Sequence, residues 1–395
     1  MNTLTSAGQP AEAQTATAGQ TDGFQPAAAL RANAQYGIQY LLHHIREDGS
    51  FVYEQNARTG TISDTYNILR HAGCLYVLYQ CAGSQLVAPS GALPRLEKAT
   101  AYLLNQMKPV KDHPESSAVL EENIAKLGGA ALTLIALIER HRLQPEASKL
   151  VIMRKLASFL CWMQQPSGKF HCKYDNKRGV FRPFESGYYP GQAVLALVSL
   201  YGIDPDTRWL QAAEAGARWL LQNPVLEAGR KVNNHWFAIA ITKLYFINHE
   251  EELYRELGEQ AAICIQEIER RLPATDRQPA DAPAEALAVA PADAPADAPA
   301  VVAAPHYASA WATFGETLVA AIRVERRLDH PERVETLLPY ARKLIDACLQ
   351  LQIRFKDPAY RYYTVGGIRE NEKTGKVRID FVQHVLAVIL GLLEA

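Results

Sequence analysis

An all-α fold, an (α/α)6 toroid of six helical hairpins, is what this chain predicts, on three observations. Amphipathic helical stretches alternate with uniformly apolar ones six times along the sequence. The pairs occupy about 340 of the 395 residues, roughly 55 per pair, a period expected of a closed helical array. Most of the unusual polar residues fall where the apolar stretches begin. If those stretches form an inner ring, their first turns converge on one mouth, and chemistry belongs there.

The amphipathic members are expected near Ala27–Arg46, Leu93–Met107, Ala147–Gln165, Thr207–Gln222, Glu250–Arg271 and Pro331–Gln352. In the second of these, Leu96, Ala99, Leu103 and Met107 recur at helical spacing while Glu97, Lys98 and Gln106 lie elsewhere, which describes an outer helix with one wet face. The apolar members are expected near Asp64–Gln80, Glu121–Arg140, Tyr188–Tyr201, Asn234–Ile247, Tyr307–Arg323 and Asp380–Leu393. In the last, Phe381, Val382, Val385, Leu386, Val388, Ile389, Leu390 and Leu392 cover nearly the whole circumference, as a helix buried on all sides requires. Gly73, Gly128, Gly129, Gly191 and Gly315 lower helix propensity in these stretches, and close helix approach compensates. Residues 1–26 read as a disordered tail. Residues 27–395 read as one toroid domain, interrupted at about 273–305 by a disordered insertion whose PADAPADAPA repeats supply no large apolar surface.

Composition narrows the function classes. A formal charge of -1, with both signs interspersed, offers no field for a phosphate backbone, so nucleic acid is excluded as the expected partner. The N-terminal tail has neither the basic start nor the apolar core of a signal peptide, and no membrane insertion is expected. Six scattered cysteines, Cys74, Cys81, Cys161, Cys172, Cys264 and Cys348, lie mostly in apolar helical patterns and read as reduced thiols, which fits a cytoplasmic location.

The strings QYLLHHIREDGSF and RKLASFLCWMQQPSGKF resemble the outer-helix repeat of terpenoid cyclases and protein prenyltransferases, in which polar residues, glutamine among them, precede Gly-x-aromatic. The inner strings LRHAGCLYVLY, LGGAALTLIAL, GYYPGQAVLALVSLY and NHWFAIAITKLY are equally similar to the six-hairpin glycan enzymes, which include epimerases, glycosidases and uronate-processing enzymes. The likeness covers nearly the whole chain outside the tail and the insertion. It is specific for the toroid and weak for the reaction.

The predicted mouth collects Asp64, Tyr66, Asn67, Arg70 and His71 from the first hairpin, then Glu121 and Glu122, and next Glu185, Tyr188, Tyr189 and Gln192. The fourth hairpin brings Asn233, Asn234, His235 and Trp236, and the fifth His306, Tyr307 and Glu316. The sixth brings Arg378, Asp380, Gln383 and His384, behind a loop with Arg369 and Glu370. Aromatic rings stack on apolar sugar faces, while carboxylates and amides bind hydroxyls, so the set suits a saccharide.

Each candidate also has a plainer explanation. Asp64 and Asp380 sit where helix caps belong, and Asp380 with Gln383 has capping-box spacing. Asp380 and His384 lie one turn apart, so the acid could orient the imidazole; a buried, hydrogen-bonded histidine is the competing reading, and it applies equally to His71. Glu185 stands just before a helix start, free to meet a substrate or merely solvated. No metal or other cofactor is expected: CxxC and HExxH are absent, and His71 with Cys74, or His171 with Cys172, provides half a zinc site at most.

Three readings stay open. As a carbohydrate-active enzyme, the chain would cleave a glycosidic bond with Asp64 and Glu185, Asp380 standing in for either, or process a uronate held by Arg70, Arg369 or Arg378 while Tyr188, Tyr189 or His235 moves a proton. His384, oriented by Asp380, is the remaining catalytic candidate. As an isoprenoid cyclase it would need the Asp-x-Asp-Asp acid motif of the resembling cyclases, which the sequence lacks. As a non-catalytic toroid it would bind a polysaccharide or a protein partner in surface-polymer assembly.

Overall fold

The structure is a computed structural model that describes residues 26–272, 308–355 and 357–394. The expected N-terminal tail and the Ala/Pro/Asp insertion lie outside the described residues, as do His306 and Tyr307. Twelve α-helices are described. The outer set is α1 (Ala27–His43), α3 (Pro89–Asn105), α5 (Ala147–Trp162), α7 (Thr207–Gln222), α9 (Glu251–Arg271) and α11 (Pro331–Leu349). The inner set is α2 (Ile68–Gly83), α4 (Leu127–Leu143), α6 (Tyr189–Tyr201), α8 (His235–Asn248), α10 (Ala308–Arg327) and α12 (Ile379–Glu394).

Inner helices pack in the cyclic order α2, α4, α6, α8, α10, α12 and back to α2, and this closure makes the (α/α)6 toroid. Burial follows the two kinds of sequence. In α12 nearly every residue from Ile379 to Gly391 is buried, whereas α3 buries only Ala92, Leu96, Ala99, Thr100 and Leu103. None of the described helices is long and apolar enough to cross a membrane. All six cysteines are unpaired, five of them buried.

The glycine turns that follow the outer helices, two of them (Gly49 and Gly168) in the Gly-x-aromatic strings, have a mechanical cause. Gly49, Gly168 and Gly366 each turn the chain at a φ near +89° after an outer helix. An added Cβ would lie 2.2 Å from the Lys98 carbonyl oxygen, 2.3 Å from that of Ala215 and 2.0 Å from that of Tyr36, respectively. Each oxygen belongs to the next outer helix around the ring. Gln164 and Gln352, near two of these turns, donate to Ala212 O at 2.9 Å and Asn33 O at 3.0 Å on the same neighbours. These turns therefore mark where adjacent outer helices touch backbone to backbone.

Connections differ sharply between the two ends of the ring. Links from inner to outer helices are short turns, such as Gln144–Glu146 between α4 and α5. Links from outer to inner helices are longer and carry all nine described strands: β1 (Glu54–Asn56), β2 (Met107–Val110), β3 (His113–Glu121), β4 (Ile124–Lys126), β5 (Lys173–Asp175), β6 (Val180–Arg182), β7 (Leu226–Glu227), β8 (Arg230–Lys231) and β9 (Lys376–Arg378). β2 to β6 form one antiparallel sheet, β7 pairs with β8, and β1 pairs with β9 in the register Glu54↔Arg378. The last pairing clasps the first hairpin to the sixth.

Three sequence expectations need correction here. The second inner helix begins at Leu127, not Glu121, because Glu121–Lys126 turns as a hairpin in which Glu122 and Asn123 adopt positive φ. The cap of α2 is Asn67, whose side chain accepts from Leu69 N and Arg70 N; Asp64 is exposed on the preceding connection. Asp380 is not a cap but lies inside the first turn of α12, with its carboxylate committed to arginines.

Candidate active site

The first turns of α8 and α12 bring two imidazoles together. His235 opens α8 and His384 follows one turn into α12, their ring centroids 5.4 Å apart and nearly perpendicular. Trp236 packs against both, at 5.0 Å from His235 and 6.5 Å from His384, and Tyr188 lies 5.6 Å from His235. Tyr188 is 48% exposed while His235 is 3% exposed, so the tyrosine is the solvent-facing ring of the pair.

The two histidines are tuned in opposite directions. Both ring nitrogens of His235 are buried, and neither has a hydrogen-bond partner among the described residues. Burial, reinforced by the nearby His384, holds its pKa well below the ordinary histidine value. His384 Nδ1 lies 2.5 Å from Glu316 Oε1 of α10. Burial alone would lower the pKa of His384, but Glu316 and then Asp380 overcome it and the net shift is upward. Burial raises the Glu316 carboxyl and His384 pulls it only part of the way back, so the net shift of the carboxyl is also upward.

A second cluster surrounds Asp380. Arg378 Nε donates to Asp380 Oδ1 at 2.6 Å and its Nη2 to Oδ2 at 3.0 Å, while Arg70 Nε reaches Oδ2 at 3.0 Å. Burial would raise the Asp380 carboxyl, yet these arginines hold it far below the usual carboxylate range. Arg70 also donates to the Tyr53 hydroxyl, and Lys376 of β9 bridges Glu54 at 3.3 Å and Glu370 at 3.7 Å. This network joins β1, α2, β9 and α12. It fixes the first turn of α12, and with it the position of His384.

The remaining predicted residues divide by what they touch. His71 is buried with both nitrogens used, Nδ1 on the Tyr66 hydroxyl at 2.7 Å and Nε2 on Ala99 O at 2.8 Å; Tyr66 also accepts from Phe51 N at 3.0 Å. Asn234 caps α8, accepts from Phe237 N at 3.2 Å and donates to Gly187 O at 3.0 Å. Gln192 is buried with Oε1 unpartnered, and Tyr189 lies beside it over Gly128. Arg369 donates to the carbonyls of Glu372 and Gln350, each at 3.3 Å. Glu122 is exposed at the β3–β4 turn. Glu185 is exposed and paired with Lys169 at 2.7 Å.

Two points alter the sequence reading. The orienting acid for His384 is Glu316, not Asp380, because Asp380 spends both oxygens on arginines. Glu316 was legible as a carboxylate inside the apolar string WATFGETLVAAI, a placement that burial makes costly without a partner. The expectation that no metal ligands converge also changes: His235, Glu316 and His384 each place one candidate ligand atom within 4.8 Å of the others. A cation there would need both imidazoles neutral and Glu316 turned to it in place of its 2.5 Å contact with His384. The donor set suits proton transfer better.

No family model matches the chain, and no curated protein matches it in sequence. Solved structures do match in fold. D-mannose isomerase aligns with a TM-score of 0.65 at 12% identity, covering 95% of this chain and 100% of that one. Cellobiose 2-epimerase from Bacillus thermoamylovorans B4167 aligns with a TM-score of 0.64 at 12% identity over 93% and 98% of the two chains. The GH76A alpha-1,6-mannanase from Salegentibacter sp. HEL1_6 aligns with a TM-score of 0.60 at 11% identity over 93% and 98%. The chain shares the toroid fold of these glycan-active enzymes.

Proposed function

We propose that the protein is a sugar isomerase or epimerase that moves a proton at the carbon next to the carbonyl of a neutral aldose. The observation that carries this reading is the pair of facing imidazoles, one without a partner and one bound to a carboxylate. Proton abstraction beside a carbonyl needs a neutral base and an acid at the carbonyl oxygen, and opposite tuning of two neighbouring groups assigns those roles. His235, neutral at pH 7, is the base. His384, whose pKa Glu316 raises against the effect of burial, is the acid. D-mannose isomerase and cellobiose 2-epimerase share the fold, which is consistent with this chemistry.

The arginines support a neutral substrate. Arg378 and Arg70 converge on Asp380, and the guanidinium of Arg369 is directed at backbone carbonyls. A uronate carboxylate would have to displace Asp380 from a doubly paired arrangement, so the uronate route loses support. Glycosidic cleavage by Asp64 and Glu185 loses support too, since both are exposed and Glu185 already pairs with Lys169. Trp236 and Tyr188 remain as ring-stacking surfaces beside His235.

The test is incubation with a panel of aldoses and reducing disaccharides in D2O, read by NMR. Deuterium entering at C2, with a ketose or a 2-epimer appearing, is the expected result. Release of new reducing ends from oligosaccharides without C2 exchange would replace this reading with a hydrolytic one.

A further inference from the structure

A cavity of about 590 Å3 opens at the other end of the ring, between the C-terminal halves of α2, α4, α8, α10 and α12. This volume is ample for a small-molecule ligand. Its wall carries an unusual density of charge for the middle of a helical barrel: Glu139, Arg142, Lys243, Glu316, Arg323 and Glu394. All but one of these charges are closed into pairs. Arg142 Nη1 meets Glu139 Oε1 at 2.5 Å, Arg323 pairs with Glu394, and Glu316 is in contact with His384 Nδ1 at 2.5 Å. Lys243 alone has no hydrogen bond or ion pair among the described residues.

Helix dipoles do not account for it. A cation in the last turn of a helix is stabilised by the exposed carbonyls, which explains Arg142 at the end of α4. Lys243 lies five residues before the end of α8, beyond that turn. Burial lowers its pKa, Arg142 lowers it further, Glu139 opposes them and Arg323 adds to the decrease, so the ammonium stands in a site that disfavours it. Glu139, the carboxylate that acts on Lys243, is already paired with Arg142, so the ammonium has no direct counter-charge among the described residues.

We propose that this cavity is a second ligand site, for a small oxyanion, a phosphate or carboxylate group, that is neutralised by the Lys243 ammonium. The anion enters from the end opposite the mouth, and the inference does not rest on the isomerase reading. The experiment titrates the full chain by calorimetry with inorganic phosphate and, separately, with gluconate. One-site saturable binding of at least one probe is expected, and which probe binds separates the two sources of the anion. K243M should weaken binding about tenfold or more, the value of one charge-assisted contact, while K243R retains it. No saturable binding of either probe, or equal binding by K243M, overturns the proposal. If K243M fails to fold, reductive 13C-methylation of the wild-type protein keeps the test alive. The Lys243 methyl signal must shift on addition of the binding anion, and an unmoved signal overturns the proposal as well.

Discussion

His71 and His235 are both buried imidazoles near the start of inner helices, yet their surroundings are opposite. His71 spends its two nitrogens on Tyr66 and Ala99, is stacked on Tyr102 at 5.4 Å, and is pushed down to about 4 mainly by burial. His235 is pushed down by burial too, but neither of its nitrogens has a partner among the described residues. The first arrangement stabilises the fold. The second costs stability, because a buried polar group without a partner loses its hydration for nothing in return, and such a cost is characteristic of a site that waits for a ligand. Depressed basicity alone does not separate the two histidines; hydrogen-bond satisfaction does.

The sharpest way to break this contrast is to substitute both. H235N should cut turnover by about a hundredfold or more, the usual share of a general base, while leaving the melting temperature unchanged or raised. H71N should do the reverse, lowering stability by roughly 1–3 kcal/mol with activity per folded molecule retained. Denaturant melts paired with the aldose assay check both. Equal losses of activity in the two variants would erase the distinction.

Asp380 extends the contrast to a buried network. D380N strands Arg378 and Arg70, and a broken buried pair of this kind costs about 3–5 kcal/mol. The folded pKa of Asp380 is depressed, so the stability it contributes is present above its unfolded pKa near 3.9 and is lost as pH falls below that. Chemical denaturation from pH 7 to pH 3 should show that acid-side loss in the wild type and a smaller one in D380N.

Glu316 gives a smaller, directional effect. His384 must be protonated to act as the acid, and Glu316 is the group that raises its pKa most. In E316Q the alkaline limb of the pH–rate profile should therefore move to lower pH, while the acid limb, set by His235, stays in place. A profile unchanged on the alkaline side would remove Glu316 from its positioning role. The smallest effect belongs to E185Q. The Lys169 pair is solvent-exposed, and its loss should cost less than about 1 kcal/mol and leave the rate intact. A large rate loss there would revive the two-carboxylate mechanism.

Much of the ring was legible because its geometry imposes local signals. The turn glycines at Gly49 and Gly168 sit in the strings that carried the toroid resemblance, and their close backbone approach explains why those strings recur. The all-round apolar character of α12 announced an inner helix. The clasp between β1 and β9 gave no such signal, since it joins residues more than 300 positions apart through a three-residue pairing. The hairpin at 121–126 was misread as helix because its polar residues resemble a helix start. At the site, His235 and His384 were visible as polar residues opening apolar helices. Their relation to Glu316 was not, because α10 and α12 are neighbours in the inner ring while the whole of α11 separates them in sequence.

The central claim is that the two facing imidazoles are tuned to opposite sides of the ordinary histidine value. Nitrogen-15 NMR of the histidine-labelled protein, assigned through H235N and H384N and followed from pH 5 to pH 9, measures that tuning directly. The account predicts that the His235 ring titrates below, and the His384 ring above, the ordinary histidine value. Both rings titrating together near the ordinary value of about 6.5 would contradict it.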